Sequence, residues 1–316
     1  MDLDMDRIPA AEAVLIAGPT ASGKSALALA LADKVRDSSR EPVIVNADSM
    51  QVYGVLRILT ARPDEADMAR FPHLLFGHVP PKEAYSTGRW LGEAAAALDE
   101  IRQTGRFPIF AGGTGLYFKA LTEGFAAIPD IPDDIRHRWR ERLKTEGAGT
   151  LYGELAVRDP GGAGILEPGD AQRIVRALEV FEATGQSIVE WQRAGQADPL
   201  LPTGRAIRLA VQPDRAELYR RIEERFDRMV EAGALEEVEA LAALDLDPDL
   251  PAMKAIGVKE LSDFLASRVS LDEAIVQAKT RTRQYAKRQM TWMRNQMADW
   301  DWIDPGRTGA DGFQVL

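Results

Sequence analysis

Gly18-Pro19-Thr20-Ala21-Ser22-Gly23-Lys24-Ser25 fits G-x-x-x-x-G-K-[ST] in full, directly after one apolar run and directly before another. No other feature restricts the fold of this chain as strongly. Glycines let the backbone wrap its N–H groups around a phosphate, and the start of the following helix turns its positive end toward the same point. Lys24 adds a point charge, and the Ser25 hydroxyl can complete a Mg2+ shell. Such a loop needs a buried strand to deliver the chain and a helix to carry it away. Ala13–Ala17 (AVLIA) reads as the strand, and the alanine- and leucine-rich stretch from Ser25 reads as the helix. A purely structural glycine-rich turn is the plainer alternative, and the flanking elements argue against it. The loop binds phosphates without saying whose.

The same alternation continues. Pro42-VIVNAD is a second buried strand, Glu93–Ile101 a helix, and Pro108-IFAGG-Thr114 a third strand running into glycines. This order predicts an α/β fold, a parallel, doubly wound sheet core like that of the P-loop nucleoside-triphosphate hydrolases. Ligands of such sheets sit off the C-terminal strand ends. All three strands carry their unusual residues there: Gly18–Ser25, Asp48–Gln51 and Gly112–Thr114. Near Ile128 the character changes to short helices punctuated by Pro and Gly. A β-like stretch follows at 206–212, and the chain then reads as helical from Asp214 to about Met297, broken near Asp245–Pro251. The expected division is a first part of the core at 1–129, a helical insertion at 130–200, and core completion with a helical C-terminal part at 201–316. The last dozen residues, rich in Gly and Asp, are expected to fray.

Composition removes several classes. Without Cys there is no disulfide, no Cys-ligated zinc, no Fe–S cluster and no thiol nucleophile. Three histidines (His73, His78, His137) leave little for a His-rich metal site. The first ten residues are acidic and unlike a secretion signal, and the longest apolar stretch near the start, Ala26–Ala32, is far too short to span a bilayer. A soluble, cytoplasmic monomer with no membrane partner is expected. The net charge of −10 disfavours coating nucleic acid through bulk charge but leaves room for one basic groove. Ala274 to Ala298 contains no Asp or Glu, yet it carries Lys279, Arg281, Arg283, Lys287, Arg288 and Arg294, with Tyr285 and Trp292 interleaved. The bland reading is a solvated helix face; six cations unrelieved by any acid favour contact with phosphates. Arg136, Arg138, Arg140 and Arg142 form a second cluster, diluted by Asp133, Asp134 and Glu141.

A hydrolase or kinase built on this loop would need a carboxylate after a second strand, for Mg2+ or for a nucleophile. Asp48 occupies such a position, although Asp48-Ser49 could equally do no more than turn the chain. No second strand ends in aliphatics plus Asp, so Asp48 is the one strong carboxylate candidate beside the loop.

Six stretches taken in order resemble the tRNA dimethylallyltransferases, the IPP transferase family. They are GPTASGKS (18–25), DSMQVY (48–53) with TARP (60–63), AGGTGLYFKAL (111–121), QRIVRALE (172–179), RIEERF (221–226) and KRQMTW (287–292). The resemblance runs from about residue 13 to 302. It implies transfer of a dimethylallyl group from dimethylallyl diphosphate to N6 of adenosine 37 in tRNAs reading codons that begin with U. It also implies roles. Residues Gly18, Pro19, Thr20, Ala21, Ser22, Gly23, Lys24 and Ser25 would hold the diphosphate, with Mg2+ bridging at Ser25. Asp48 would take the proton of the adenine amine, Thr114 would lie near diphosphate and acceptor base, and Arg221 would be a second cation on the leaving group. The anticodon stem-loop would be met by Asp48, Ser49, Met50, Gln51 and Thr114, by Arg136, and by Gln172, Arg173, Ile174, Val175 and Arg176. The basic helix residues Arg281, Arg283, Lys287 and Arg288 would join them.

The chemistry is consistent with these residue types. An allylic cation is stabilised, so carbon–oxygen cleavage mainly requires neutralising the departing diphosphate. The adenine amine becomes acidic only as its new bond forms, so an ordinary ionised carboxylate suffices as base. The base must leave the loop stack to be reached. Tyr53, Tyr117 and Phe118 lie near the pocket segments, with core packing the expected role for two of them. Two positions depart from the family pattern. Leu59 replaces the usual Gly before Thr-Ala-Lys-Pro, here Thr60-Ala61-Arg62-Pro63, and Val258 stands in place of the usual Tyr after Ile-Gly. Three rivals remain from the residues alone: an isopentenyltransferase acting on free AMP or ADP, a small-molecule kinase using ATP, and a regulatory nucleotide-binding module. The insertion and the basic helix argue for a macromolecular acceptor.

Overall fold

The structure, a computed structural model, describes residue 8 and residues 10–126, 128–194, 198–309 and 312–315, with side chains through residue 305. It divides into two compact units, Met1–Thr122 with Leu201–Leu316, and Glu123–Leu200.

In the larger unit, β1 (Ala13–Ala17) is buried at every position, as an unbroken apolar run in a covered parallel sheet must be. It feeds α1 (Lys24–Asp37), then β2 (Pro42–Asn46), α2 (Glu65–Arg70) and the short β3 (His73–Leu74). Next come α3 (Thr87–Gln103), β4 (Phe107–Gly112) and α4 (Gly115–Glu123). Helix α3 begins six residues before the sequence suggests, because the Ser86 hydroxyl accepts the Arg89 N–H and so starts the helix early.

The smaller unit holds α5 (Asp133–Arg158), α6 (Pro160–Ala163), α7 (Ala171–Thr184) and α8 (Ile188–Ala194). Instead of the short helices expected, α5 runs as one element kinked at Gly147. Its core gathers Trp139, Leu151, Leu155, Ile174, Val175 and Leu178. The buried Trp139 indole donates to Glu182 at 2.8 Å.

The chain re-enters the sheet as β5 (Ala206–Val211) and continues through α9 (Arg215–Glu231) and α10 (Ala234–Ala242). A 3-10 turn (Pro251–Lys254), α11 (Val258–Leu265) and α12 (Leu271–Gln296) follow. The C-terminal stretch does not fray as expected. Residues Asp301–Gly309 form β6, parallel to β5 through Leu209 opposite Asp301 and Val211 opposite Ile303, and Gly312–Val315 form β7, antiparallel to β6. Ile303 is fully buried there, which gives the segment an apolar reason to dock, and β5 gains partners for its open edge. Residues 310, 311 and 316 of that stretch lie outside the described residues.

Strand order is β3-β2-β4-β1-β5-β6-β7, the first six parallel. Strand β1 is central, so the loop after it sits between the ends of β4 and β5. Helices α9–α12 cover a second core that includes Val52, Tyr53, Leu56 and Leu59 from the chain after β2. The segment beyond Asp48 is therefore fixed by the C-terminal helices.

Candidate active site

Gly23 sits at φ +91°, a left-handed conformation that only glycine adopts cheaply, and from it α1 starts with Lys24 and Ser25. Loop residues Ala21 to Ser25 line a cleft of about 250 Å3 together with Arg221, Arg225 and Arg228. Lys24 is buried and its Nζ donates to the Pro19 carbonyl at 3.3 Å. Burial pulls its pKa down to about 8, against the attraction of Asp48 and with a smaller push from Arg225. The Ser22 hydroxyl is buried without a partner among the described residues. Backbone donors, a hydroxyl and three guanidinium groups gather around one cleft, a donor set chemically suited to a multiply charged anion.

Asp48 stands at the end of β2, beside the end of β4. Its N–H donates to Asn46 Oδ1 at 2.8 Å, and its Oδ1 accepts the Met50 N–H at 3.0 Å. One carboxylate oxygen thus makes the chain turn, and a methyl group placed on Gly113 would come to 3.1 Å from the other. Thr114 locks the two strand ends together: its N–H donates to the Ala47 carbonyl at 3.1 Å and its hydroxyl accepts the Ser49 N–H at 2.9 Å. Gly112 packs against the Ala47 backbone so closely that no side chain fits. The side chain of Gln51 faces away from this point, donating to the Thr60 and Ala61 carbonyls at 2.8 and 3.0 Å.

Arg221 lines the cleft, but its Nε donates to Glu217 at 2.7 Å. One turn further along the same helix face, Arg225 is half-buried, hydrogen-bonded to the Thr20 hydroxyl and drawn by Asp48. Burial lowers its pKa to about 10, still well above neutrality. Sequence reasoning missed Arg225, although the four-residue spacing in Arg221-IEE-Arg225 was the signal. It missed Gln289 of α12 as well, whose amide lies between the phosphate loop and Gly113.

The aromatics Tyr53, Tyr117 and Phe118 are all core residues; Tyr117 stacks on Trp90 at 4.2 Å. The aromatic that borders Asp48 while keeping partial exposure is Tyr285, whose hydroxyl is held above its usual pKa by burial and by Asp48. Trp292 covers Gly115.

Half of the basic run on α12 finds acids on neighbouring helices. Lys279 pairs with Asp227 at 2.6 Å, Arg281 with the buried Glu260, and Arg283 with Glu223. Lys287 and Arg288 are exposed with no acidic partner among the described residues, Arg288 lying over the Tyr285 ring. In the smaller unit, Ile174 and Val175 point into the core, leaving Gln172, Arg173 and Arg176 as the outward members of that stretch. Arg176 pairs with the buried Glu179 at 3.5 Å, and Arg136 and Arg140 act on the same carboxyl. Leu59 is accommodated through Gly257, where a side chain would collide with it, while Glu237 accepts the Ile58 and Leu59 N–H groups at 2.8 and 2.9 Å. Val258 is buried in the same core.

A glycine-rich loop after the central strand of a parallel sheet, with a carboxylate at the end of β2, defines an α/β protein with a P-loop-like core. The model of the IPP transferase family matches residues 51–296. The chain is 57% identical to a tRNA dimethylallyltransferase of Mesorhizobium japonicum over 96% of its own length and 93% of that protein. It is 55% identical to the enzyme of that name from Agrobacterium fabrum, over 93% and 97%. Among solved structures it resembles a tRNA isopentenylpyrophosphate transferase of Bacillus halodurans, with TM-score 0.65, 34% identity and coverage of 93% and 89%. It also resembles a eukaryotic dimethylallyltransferase acting on tRNA, with TM-score 0.77, 29% identity and coverage of 93% and 74%. The chain belongs to the IPP transferase family and is an enzyme.

Proposed function

We propose that this enzyme moves the dimethylallyl group of dimethylallyl diphosphate to N6 of adenosine 37 in tRNAs reading codons that start with U. The observation that carries the reading is the electrostatic meeting of Asp48, at the end of β2, with Lys24 and Arg225 of the cationic cleft after β1, across the end of β4. A diphosphate cradle and a carboxylate base side by side suit cleavage of an allylic carbon–oxygen bond next to a weakly acidic amine. The oxygen leaves with the electron pair on diphosphate, where Lys24, Arg225 and the loop N–H groups receive the charge. The new carbon–nitrogen bond forms, and Asp48 takes the amine proton. Thr114 keeps Asp48 and Ser49 against the end of β4.

Mg2+ fits the donor set. Ser25 offers an exposed hydroxyl in the first turn of α1, and no group of three or more His or acidic side chains gathers among the described residues. A hard cation held there would take its other ligands from diphosphate and water, and would supply further charge neutralisation. The tRNA acceptor, in preference to free AMP or a kinase substrate, is supported by relatives that match over more than nine tenths of both chains. Exposed Lys287, Arg288 and Arg173 and half-buried Arg136 are the cations we assign to it, acting in a monomer. No described helix is long and apolar enough to cross a membrane.

Asp48→Ala tests the reading. It is expected to bind tRNA and inorganic pyrophosphate as the parent does and to transfer nothing detectable; full-rate prenylation by that variant removes Asp48 from the mechanism.

A further inference from the structure

We propose that Gln289 is a positioning residue for the transfer, holding the phosphate loop and the strand end beside Asp48 at one fixed separation. The proposal rests on the reading of function above.

Burying an amide among apolar neighbours is unfavourable unless both of its ends are satisfied. Gln289 is 7% exposed on a long helix and satisfies both. Its Oε1 accepts the Thr20 N–H at 3.0 Å, and its Nε2 donates to the Gly113 carbonyl at 2.9 Å. Those two backbone groups belong to different strand ends: Thr20 to the loop after β1, Gly113 to the end of β4. A side chain on Gly113 would collide with the Gln289 amide nitrogen and approach Asp48 Oδ2 to 3.1 Å, so amide, glycine and carboxylate share one small volume. From Gly113 the linkage continues through Thr114 to Ser49, next to the base. Thr20 is held a second time, by Arg225 on its hydroxyl. One side-chain amide thus links the loop after β1 to the strand end beside the base, in addition to the Gly18 N–H that donates to the Gly112 carbonyl. Glu cannot replace it, having no donor for Gly113 when ionised and adding a negative charge next to Asp48.

The test uses the full-length protein with Gln289→Met and Gln289→Glu, tRNA and dimethylallyl diphosphate, with the active fraction counted by titration with inorganic pyrophosphate. Gln289→Met is expected to lower kcat about 10- to 100-fold per active site, the cost of a displacement near 1 Å. KM for dimethylallyl diphosphate rises and KM for tRNA stays put. A residue that only supports folding would lower the active fraction and leave kcat per site and both KM values alone, which overturns the proposal. Should the Met variant fail to fold, Gln289→Glu decides. It is expected to lower kcat per active site while KM for tRNA stays put, since the ionised side chain cannot donate to the Gly113 carbonyl, and an unchanged kcat overturns the proposal. Parent enzyme that prenylates no tRNA overturns the reading of function, and the positioning role with it. Normal kinetics in both variants overturn the positioning role alone.

Discussion

Lys24 is buried so completely that its folded pKa, about 8, lies below its ordinary 10.5. Folding therefore expels a proton between those values, so stability rises with pH across that window, and below pH 8 the charged amine costs about 3 kcal/mol. A bound diphosphate restores the charge. We accordingly expect pyrophosphate affinity to fall as pH rises above about 8, relative to Lys24→Met measured in the same buffers, which also corrects for titration of the ligand. In calorimetry Lys24→Met should melt no lower than the parent at pH 7 while binding pyrophosphate far more weakly. A pH-independent affinity ratio between the two would mean Lys24 does not meet the ligand. Arg225→Ala should cost about 100-fold in kcat/KM, the scale of a lost charge-stabilising donor. Arg221→Ala should cost less, because Glu217 already shares its charge. Equal losses would place both guanidinium groups on the leaving group. The loop, Asp48 and Thr114 were legible in the sequence because each stands at the end of an apolar strand. Arg225 and Gln289 were not, since only the fold shows which face of a polar helix is turned inward.

Helix α12 shows why a charge run is a poor guide to a binding surface when read alone. Its own sequence has no acid after Glu273, yet α9 and α11 supply Asp227, Glu223 and Glu260. Neutralising Lys287 and Arg288 should lower the slope of log K against log salt for tRNA by one to two units, one for each lost phosphate contact. Arg281→Gln should instead act mainly on stability. It strands a buried carboxylate, but Arg281 is itself 44% exposed, so the cost is nearer 1 to 2 kcal/mol than that of a fully buried pair. An undiminished salt slope in the first variant would put the phosphate backbone elsewhere. The core strands and α1 were predictable to within a residue or two from apolar runs and glycines. Strand β6 was not, because Asp301, Asp304, Pro305 and Gly306 make it read as loop. Its buried Ile303 and the open edge of β5 prevail over local propensity.

The molecule comprises two compact units, each with its own hydrophobic core. The smaller one spans Glu123–Leu200, and its helix lengths depend on packing around Trp139, which the Pro- and Gly-punctuated sequence after Ile128 does not show. Trp139→Ala should cost that unit about 3 to 5 kcal/mol. If the smaller unit serves the tRNA, prenylation will be lost while pyrophosphate binding by the larger unit persists. Mass spectrometry of anticodon-loop RNA after incubation with the protein, Mg2+ and dimethylallyl diphosphate tests the transfer itself. One added dimethylallyl group is expected, on the adenosine beside the anticodon. Transfer to free AMP with none to tRNA, or ATP consumption with no prenyl transfer at all, would contradict it.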